Sequence, residues 1–334
     1  MKSYLILLLT LLNISFQKDA AALLAELRQS VSKGKPGSYS ELWDTYVKAF
    51  LKSDGYIKDY YSSYSRFTDK DRDKGSGGAK EGEKYNREHS IPKSWWGGST
   101  ATGSQGADPF IVIPADKFVN NRRSSYPLGK VARPKFESYD GYSKLGEADT
   151  KYGYSGTVFE PNDDVKGDLA RIVFYSIVKY ESSYKWTSGG GSVIYSGDKN
   201  KNFGLTDYAV KLFTEWNKMD PPDQWEISVN NALDKLQGNK NPFIEHPEYV
   251  DMIWGNSAKS NSANLKEDKS SKKFLSFKTI SLLPFSFSSR IFSLDFSVVS
   301  SFFSFSLILS LSETFVRLFK SLLLSSFSIK LSFE

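Results

Sequence analysis

The residues best suited to chemistry in this chain are an adjacent acid and imidazole, Glu88 and His89. They sit within the run Tyr85-Asn86-Arg87-Glu88-His89-Ser90-Ile91-Pro92-Lys93-Ser94-Trp95-Trp96, and only two histidines occur in 334 residues. A carboxylate can hold a hard cation, and a neutral imidazole can accept a proton near neutral pH. Arg87 and Lys93 flank the pair and suit a polyanionic substrate. A Glu-His dipeptide alone reads more readily as a buried strand end with a hydrogen-bonded histidine. The longer pattern around it shifts that balance.

Neighbouring residues on a strand point to opposite faces, so one reaction centre using both side chains needs a local twist or a strand end. Pro92 makes one credible. A Gly/Ser/Thr loop follows over 97–106, and then a short apolar strand over 108–114 closed by proline. Residues 115–123 have helical character. Asn120 and Arg123 lie three apart on one helical face, and Asp116 reads as the helix cap rather than as a ligand. The expected order is therefore strand, loop, strand, short helix.

The run from Asn86 to Trp96 resembles the signature of the endonuclease I family, secreted and periplasmic nucleases of the His-Me finger (ββα-metal) class. Val119-Asn120-x-x-Arg123-Ser124 matches the family's Val-Asn-x-x-Arg-Ser pattern, and the run from Gln237 to Glu248 is a further match. The resemblance covers roughly 35–255. It implies an α+β fold with a ββα-metal core embedded in a mainly helical single domain. It also implies His89 as general base, with Glu88 and Asn120 as ligands of one divalent cation. Mg²⁺ is the expected ion, with Mn²⁺ or Ca²⁺ as alternatives, and Asn121 replaces Asn120 if the register shifts by one. Arg123 is expected to donate to the phosphate, with Arg87, Lys93 and Arg122 holding the nucleic-acid backbone. The implied products carry 5′-phosphate ends. Pro109-Phe110-Ile111 departs from the one or two histidines that many relatives carry on the second strand, and Ser125 stands where many have Asn.

Composition agrees with a folded, polyanion-binding protein without requiring one. Hydrophobic residues make up 40% and aromatic residues 15%, the net charge is +6, and the sequence pI is about 9.0. There is no cysteine. Two histidines and no thiolate cannot supply an ordinary zinc site, and no disulfide braces the fold. The cationic start and short apolar run over 4–16 read as a secretory signal peptide, assigned to 1–19, which implies a secreted or periplasmic protein.

The nuclease domain is assigned to 20–256, a polar linker to 257–273, and a Ser/Phe/Leu-rich low-complexity tail outside the fold to 274–334. The longest uncharged stretch of the tail, 296–312, is dense with serine. Membrane contact is expected through that tail alone, no obligate protein partner is evident, and a monomer is expected. Helices are expected over 20–31, 39–51, 163–184, 205–219 and 222–236, with a last short one ending near Trp254. Irregular loops and short strands are expected over 130–158. His246, before Pro247, is expected to help Trp254 dock the last helix.

The sequence reading is thus a metal-dependent, largely sequence-nonspecific endonuclease acting on DNA, with RNA as a second candidate substrate. A catalytically inactive nucleic-acid-binding relative is one alternative, against which intact Glu88, His89, Asn120 and Arg123 speak. A secreted aromatic-rich surface-binding protein is the other, and it leaves the Glu-His pair unexplained.

Overall fold

Apolar residues at helical spacing open the computed structural model, which describes residues 20–180 and 189–255. Helix α1 (Ala20–Val31) buries Leu23, Leu24, Leu27 and Val31 along one side. Helix α2 (Leu42–Ala49) is shorter than the 39–51 expected. Its entry is a turn in which the Glu41 carboxylate accepts from the Ser38 amide at 2.6 Å, and this keeps Tyr39 outside the helix.

Strands β1 (Tyr85–His89) and β2 (Val112–Asp116) pair antiparallel, with Glu88 opposite Ile113 and His89 opposite Val112. β2 starts later than the apolar run suggests. The Asp108 carboxylate accepts from the Phe110 amide at 3.0 Å, and its carbonyl accepts from Ile111 and Val112, so the first half of the run becomes a turn. Pro114 then lies inside β2, which a two-stranded edge tolerates. Asp116 caps helix α3 (Lys117–Arg123) by accepting from the Val119 amide at 3.0 Å, as expected of it.

The stretch after α3 is a three-stranded antiparallel sheet, β3 (Val131–Glu137), β4 (Lys144–Ala148) and β5 (Thr157–Glu160), in that order. A Cβ at Gly146 would sit 2.1 Å from the Arg133 carbonyl, so the register shift between β3 and β4 needs glycine there.

Helix α4 (Lys166–Tyr180) follows a 3-10 turn over Asp163–Val165, and the rest of the expected 163–184 lies outside the described residues. Beyond it come the single turn α5 (Gly191–Ile194) and then α6 (Asp207–Met219) and α7 (Gln224–Gln237). Thr206 and Asp223 cap these last two, accepting from the third amide in at 3.1 Å and 2.7 Å. Gly238, at φ +84°, ends α7 in the left-handed region. The expected last short helix is α9 (Glu248–Trp254), and a single turn, α8 (Pro242–Glu245), precedes it.

α4 is the core element. Every one of its residues except Lys179 is buried, which is how a helix surrounded by partners differs from one with a solvent face. It packs on α1, α6 and α8, and Phe174 lies 4.7 Å from the Trp254 ring and 5.7 Å from Phe243. The buried Arg171 donates to Glu226 at 2.8 Å and Asp168 at 2.9 Å, so its charge is compensated. From the same helix Tyr175, Lys179 and Tyr180 converge on Asp108 Oδ2 at 2.9, 3.0 and 2.7 Å. That junction fixes the loop entering β2 to the core.

The expected signal peptide, linker and tail lie outside the described residues. Among the described residues no helix is long and apolar enough to cross a membrane.

Candidate active site

Strand, strand and helix bring Glu88 and Arg123 into contact, with Asn120 on the same side of β1, while His89, the next residue along, turns its ring to the other side. The pleat places Asn86 and Glu88 on the face of β1 toward α3, and residues spaced by one helical turn meet them. Asn120 Nδ2 donates to Asn86 Oδ1 at 2.8 Å, and Arg123 forms an ion pair with Glu88. Tyr61 donates its hydroxyl to the same Glu88 Oε1 at 2.9 Å. Among the described residues no hydrogen bond is made to Glu88 Oε2 or Asn120 Oδ1. These two oxygens could serve as ligands of a cation.

His89 is the last residue of β1. Its ring turns away from α3. Nε2 lies 3.2 Å from the Gly106 carbonyl, and the ring stacks on Tyr39 with centroids 5.6 Å apart and planes 25° apart. A carbonyl only accepts, so Nε2 carries the proton and Nδ1 keeps the lone pair. The residue is 8% exposed. Burial pushes its pKa down to about 4, helped by the charges of Lys93, Arg87 and Arg123 and opposed by the Gly106 bond. The imidazole is neutral at pH 7.

The arginines differ from the sequence expectation. Arg123 was expected to face a phosphate, yet it is 1% exposed. Its Nη1 donates to Glu88 and to the His89 carbonyl at 2.9 Å, and its Nη2 donates to the Ser90 carbonyl at 2.7 Å. A buried carboxylate beside two strand-end carbonyls needs a forked cation, and arginine supplies one. Arg87, expected on the substrate, lies with its guanidinium carbon 3.6 Å from the Tyr39 ring centroid and 4.5 Å from that of Trp43. Lys93 and Arg122 are exposed. Arg122 lies over the rings of Phe118 and Phe136, on the side of α3 opposite Asn120.

His246 is exposed, bonded to Glu248 at 2.9 Å and stacked on Tyr249, so Trp254 docks α9 without it. Three residues at the site escaped the sequence reading: Tyr39, Tyr61 and Gly106. A tyrosine cluster was visible around Tyr61, but nothing near Tyr39 or Gly106 marks them as partners of His89.

Among the described residues no cluster of three or more His, Cys, Asp or Glu side chains is placed to hold a metal ion. The donor set instead consists of one carboxylate oxygen and one amide oxygen. Hard oxygen ligands of this kind suit a cation that keeps several of its waters, as Mg²⁺ does.

The family model for endonuclease I matches residues 20–248. The chain belongs to the endonuclease I family and is an endonuclease. It is 33% identical to an extracellular ribonuclease of Bacillus subtilis (strain 168) over 71% of this chain and 75% of that protein. An extracellular ribonuclease of Bacillus amyloliquefaciens is 34% identical over the same shares, 71% and 75%. A periplasmic deoxyribonuclease of Aeromonas hydrophila is 27% identical over 41% of this chain and 47% of its own.

Proposed function

We propose that this protein is a secreted, divalent-cation-dependent endonuclease of the His-Me finger class that hydrolyses phosphodiester bonds in DNA and RNA with little regard to sequence. The observation that carries the reading is the bond from His89 Nε2 to the Gly106 carbonyl, which leaves Nδ1 with its lone pair in a ring that stays neutral at pH 7. Nδ1 takes a proton from a water whose oxygen bonds to phosphorus as the bond to the 3′ oxygen breaks. The departing 3′ oxygen takes a proton from solvent, so the products are a 3′-hydroxyl and a 5′-phosphate. Glu88 and Asn120 hold the cation, Mg²⁺ being the expected ion. When bound, such a cation would supply positive charge to offset the charge that develops on the phosphate and the departing oxygen.

Arg123 and Tyr61 orient Glu88 through Oε1 and so present Oε2 as the ligand. Exposed Lys93 and Arg122 hold phosphates, which confer affinity and carry no base information. Because water is the nucleophile, no 2′-hydroxyl is needed and DNA is as suitable as RNA. Relatives named ribonuclease and deoxyribonuclease both occur, which supports testing the two substrates side by side. Extracellular and periplasmic relatives support export, in line with the signal-like start of the chain.

Plasmid DNA and a structured RNA, each incubated with the protein and Mg²⁺, should both be cut, and EDTA should stop both reactions. Cleavage that persists in EDTA would remove the cation from the account. Cleavage of RNA alone, leaving 2′,3′-cyclic phosphates, would remove the water nucleophile.

A further inference from the structure

Among the described residues the His89 ring is held by one hydrogen bond and one stacked ring. A bond from Nε2 to the Gly106 carbonyl does not by itself fix the ring against turning about that axis, which would swing Nδ1 away from any fixed water. The second contact is the stacked ring of Tyr39. We propose that Tyr39 is a positioning residue for His89, setting the plane of the imidazole, and that Arg87 acts through Tyr39 rather than on the substrate. The inference rests on the reading of His89 as the base.

Several observations brace this arrangement. Arg87 and His89 are two apart on β1, so the pleat turns both toward the segment that carries Tyr39. Arg87 restrains Tyr39 twice, because Nη1 donates to the Tyr39 carbonyl at 2.9 Å while the guanidinium lies over the ring. Trp43 covers the same guanidinium and packs edge-on against Tyr85 at 5.4 Å and Tyr46 at 6.1 Å, so Arg87 is itself confined. The Gly103 amide donates to the Pro36 carbonyl at 3.0 Å, which ties the Tyr39 segment to the loop carrying Gly106. Both restraints on the imidazole therefore belong to one braced unit. A tyrosine face also suits the imidazolium that forms when the base takes its proton, because the ring quadrupole attracts a cation.

The test compares Tyr39→Phe, Tyr39→Leu and Arg87→Met with the unaltered chain in plasmid cleavage at saturating Mg²⁺, with kcat and KM resolved separately. The His89 ring resonances are followed by NMR, where two histidines keep the spectrum simple and His246→Gln assigns them. Tyr39→Phe should retain kcat. Tyr39→Leu should lower kcat by about 10- to 100-fold with KM unchanged, the cost of a base displaced on the ångström scale. Its His89 signals should also lose the ring-current shift of the stacked face. Arg87→Met leaves the tyrosine in place and should lower kcat less, again at constant KM and unchanged salt dependence.

Full kcat in Tyr39→Leu overturns the proposal, as does failure of Tyr39→Phe to sustain the rate. A rise in KM alone in Tyr39→Leu would make Tyr39 a substrate contact, and a reduced salt slope in Arg87→Met would return Arg87 to the phosphates. Should Tyr39→Leu fail to fold, Arg87→Met and Tyr39→Phe still decide. A His89→Ala control separates the two levels of the argument: its full activity would sink the base assignment, while the NMR shift would still report whether Tyr39 holds the ring.

Discussion

Arg123 shows how one side chain changes meaning between sequence and structure. Three residues after a candidate ligand, an arginine in a nuclease reads as a phosphate contact. Buried, it neutralises Glu88 and binds two carbonyls at the end of β1. Removing one member of a buried pair strands the other charge, at a cost of about 3–5 kcal/mol. Arg123→Ala should therefore unfold at distinctly lower denaturant, and equilibrium unfolding checks it. Unchanged stability with reduced salt dependence of binding would mean the arginine faces phosphate after all. Asp59 offers a second residue-scale test. Burial, with the charge of Asp116 beside it, pushes its carboxyl from 3.8 up to about 7. The folded state then holds a proton that the unfolded chain has released, so stability falls as pH rises from about 4 to about 7. The loss approaches about 4 kcal/mol for a shift of this size. Asp59→Asn should flatten the stability profile across that window, and an unaltered slope would assign the pH dependence to other groups.

At the scale of elements, β1, β2 and α3 form a unit whose rigidity decides where Asn120 points. Asp116 holds it together, accepting from Val119 at the helix start, from Gly82 at 2.7 Å and from Ser65 at 3.3 Å. Asp116→Ala removes a cap worth about 1 kcal/mol and leaves two further donors without an acceptor. Amide exchange across Lys117–Arg123 should quicken, and more Mg²⁺ should be needed for cleavage. Exchange rates that stay the same in α3 would show that the helix is held elsewhere. Much of this unit was legible beforehand. The strand around Glu88 and His89, the capping Asp116 and the helix carrying Asn120 all follow from local patterns. Short strands were expected over 130–158, but their bounds and their pairing into the β3–β4–β5 sheet were not, because the Gly, Tyr and Lys content blurs alternation and β3 is largely exposed. Tyr39 and Gly106 were hidden for another reason: they meet His89 only through long-range folding, and neither residue type advertises that contact.

At the scale of the molecule, α4 and the helices around it form a scaffold, and Asp108 links that scaffold to the loop that holds His89. The core closes with α9, where Val250, Ile253 and Trp254 are buried. The family match likewise ends at residue 248. A chain ending at Gly255 should melt cooperatively near the temperature of the full chain and cut plasmid at the same rate. A lost or broadened transition on truncation would make residues beyond 255 part of the folded unit. Charge acts at this scale too, since a net +6 favours polyanions without selecting among sequences.

His89 as the base is tested by single-turnover plasmid cleavage by His89→Ala at saturating Mg²⁺, with DNA affinity measured in parallel. The rate should fall by about 10²- to 10⁴-fold while binding stays as it was, because the imidazole acts on the barrier and not on the ground state. Cleavage at the rate of the unaltered chain would contradict the account.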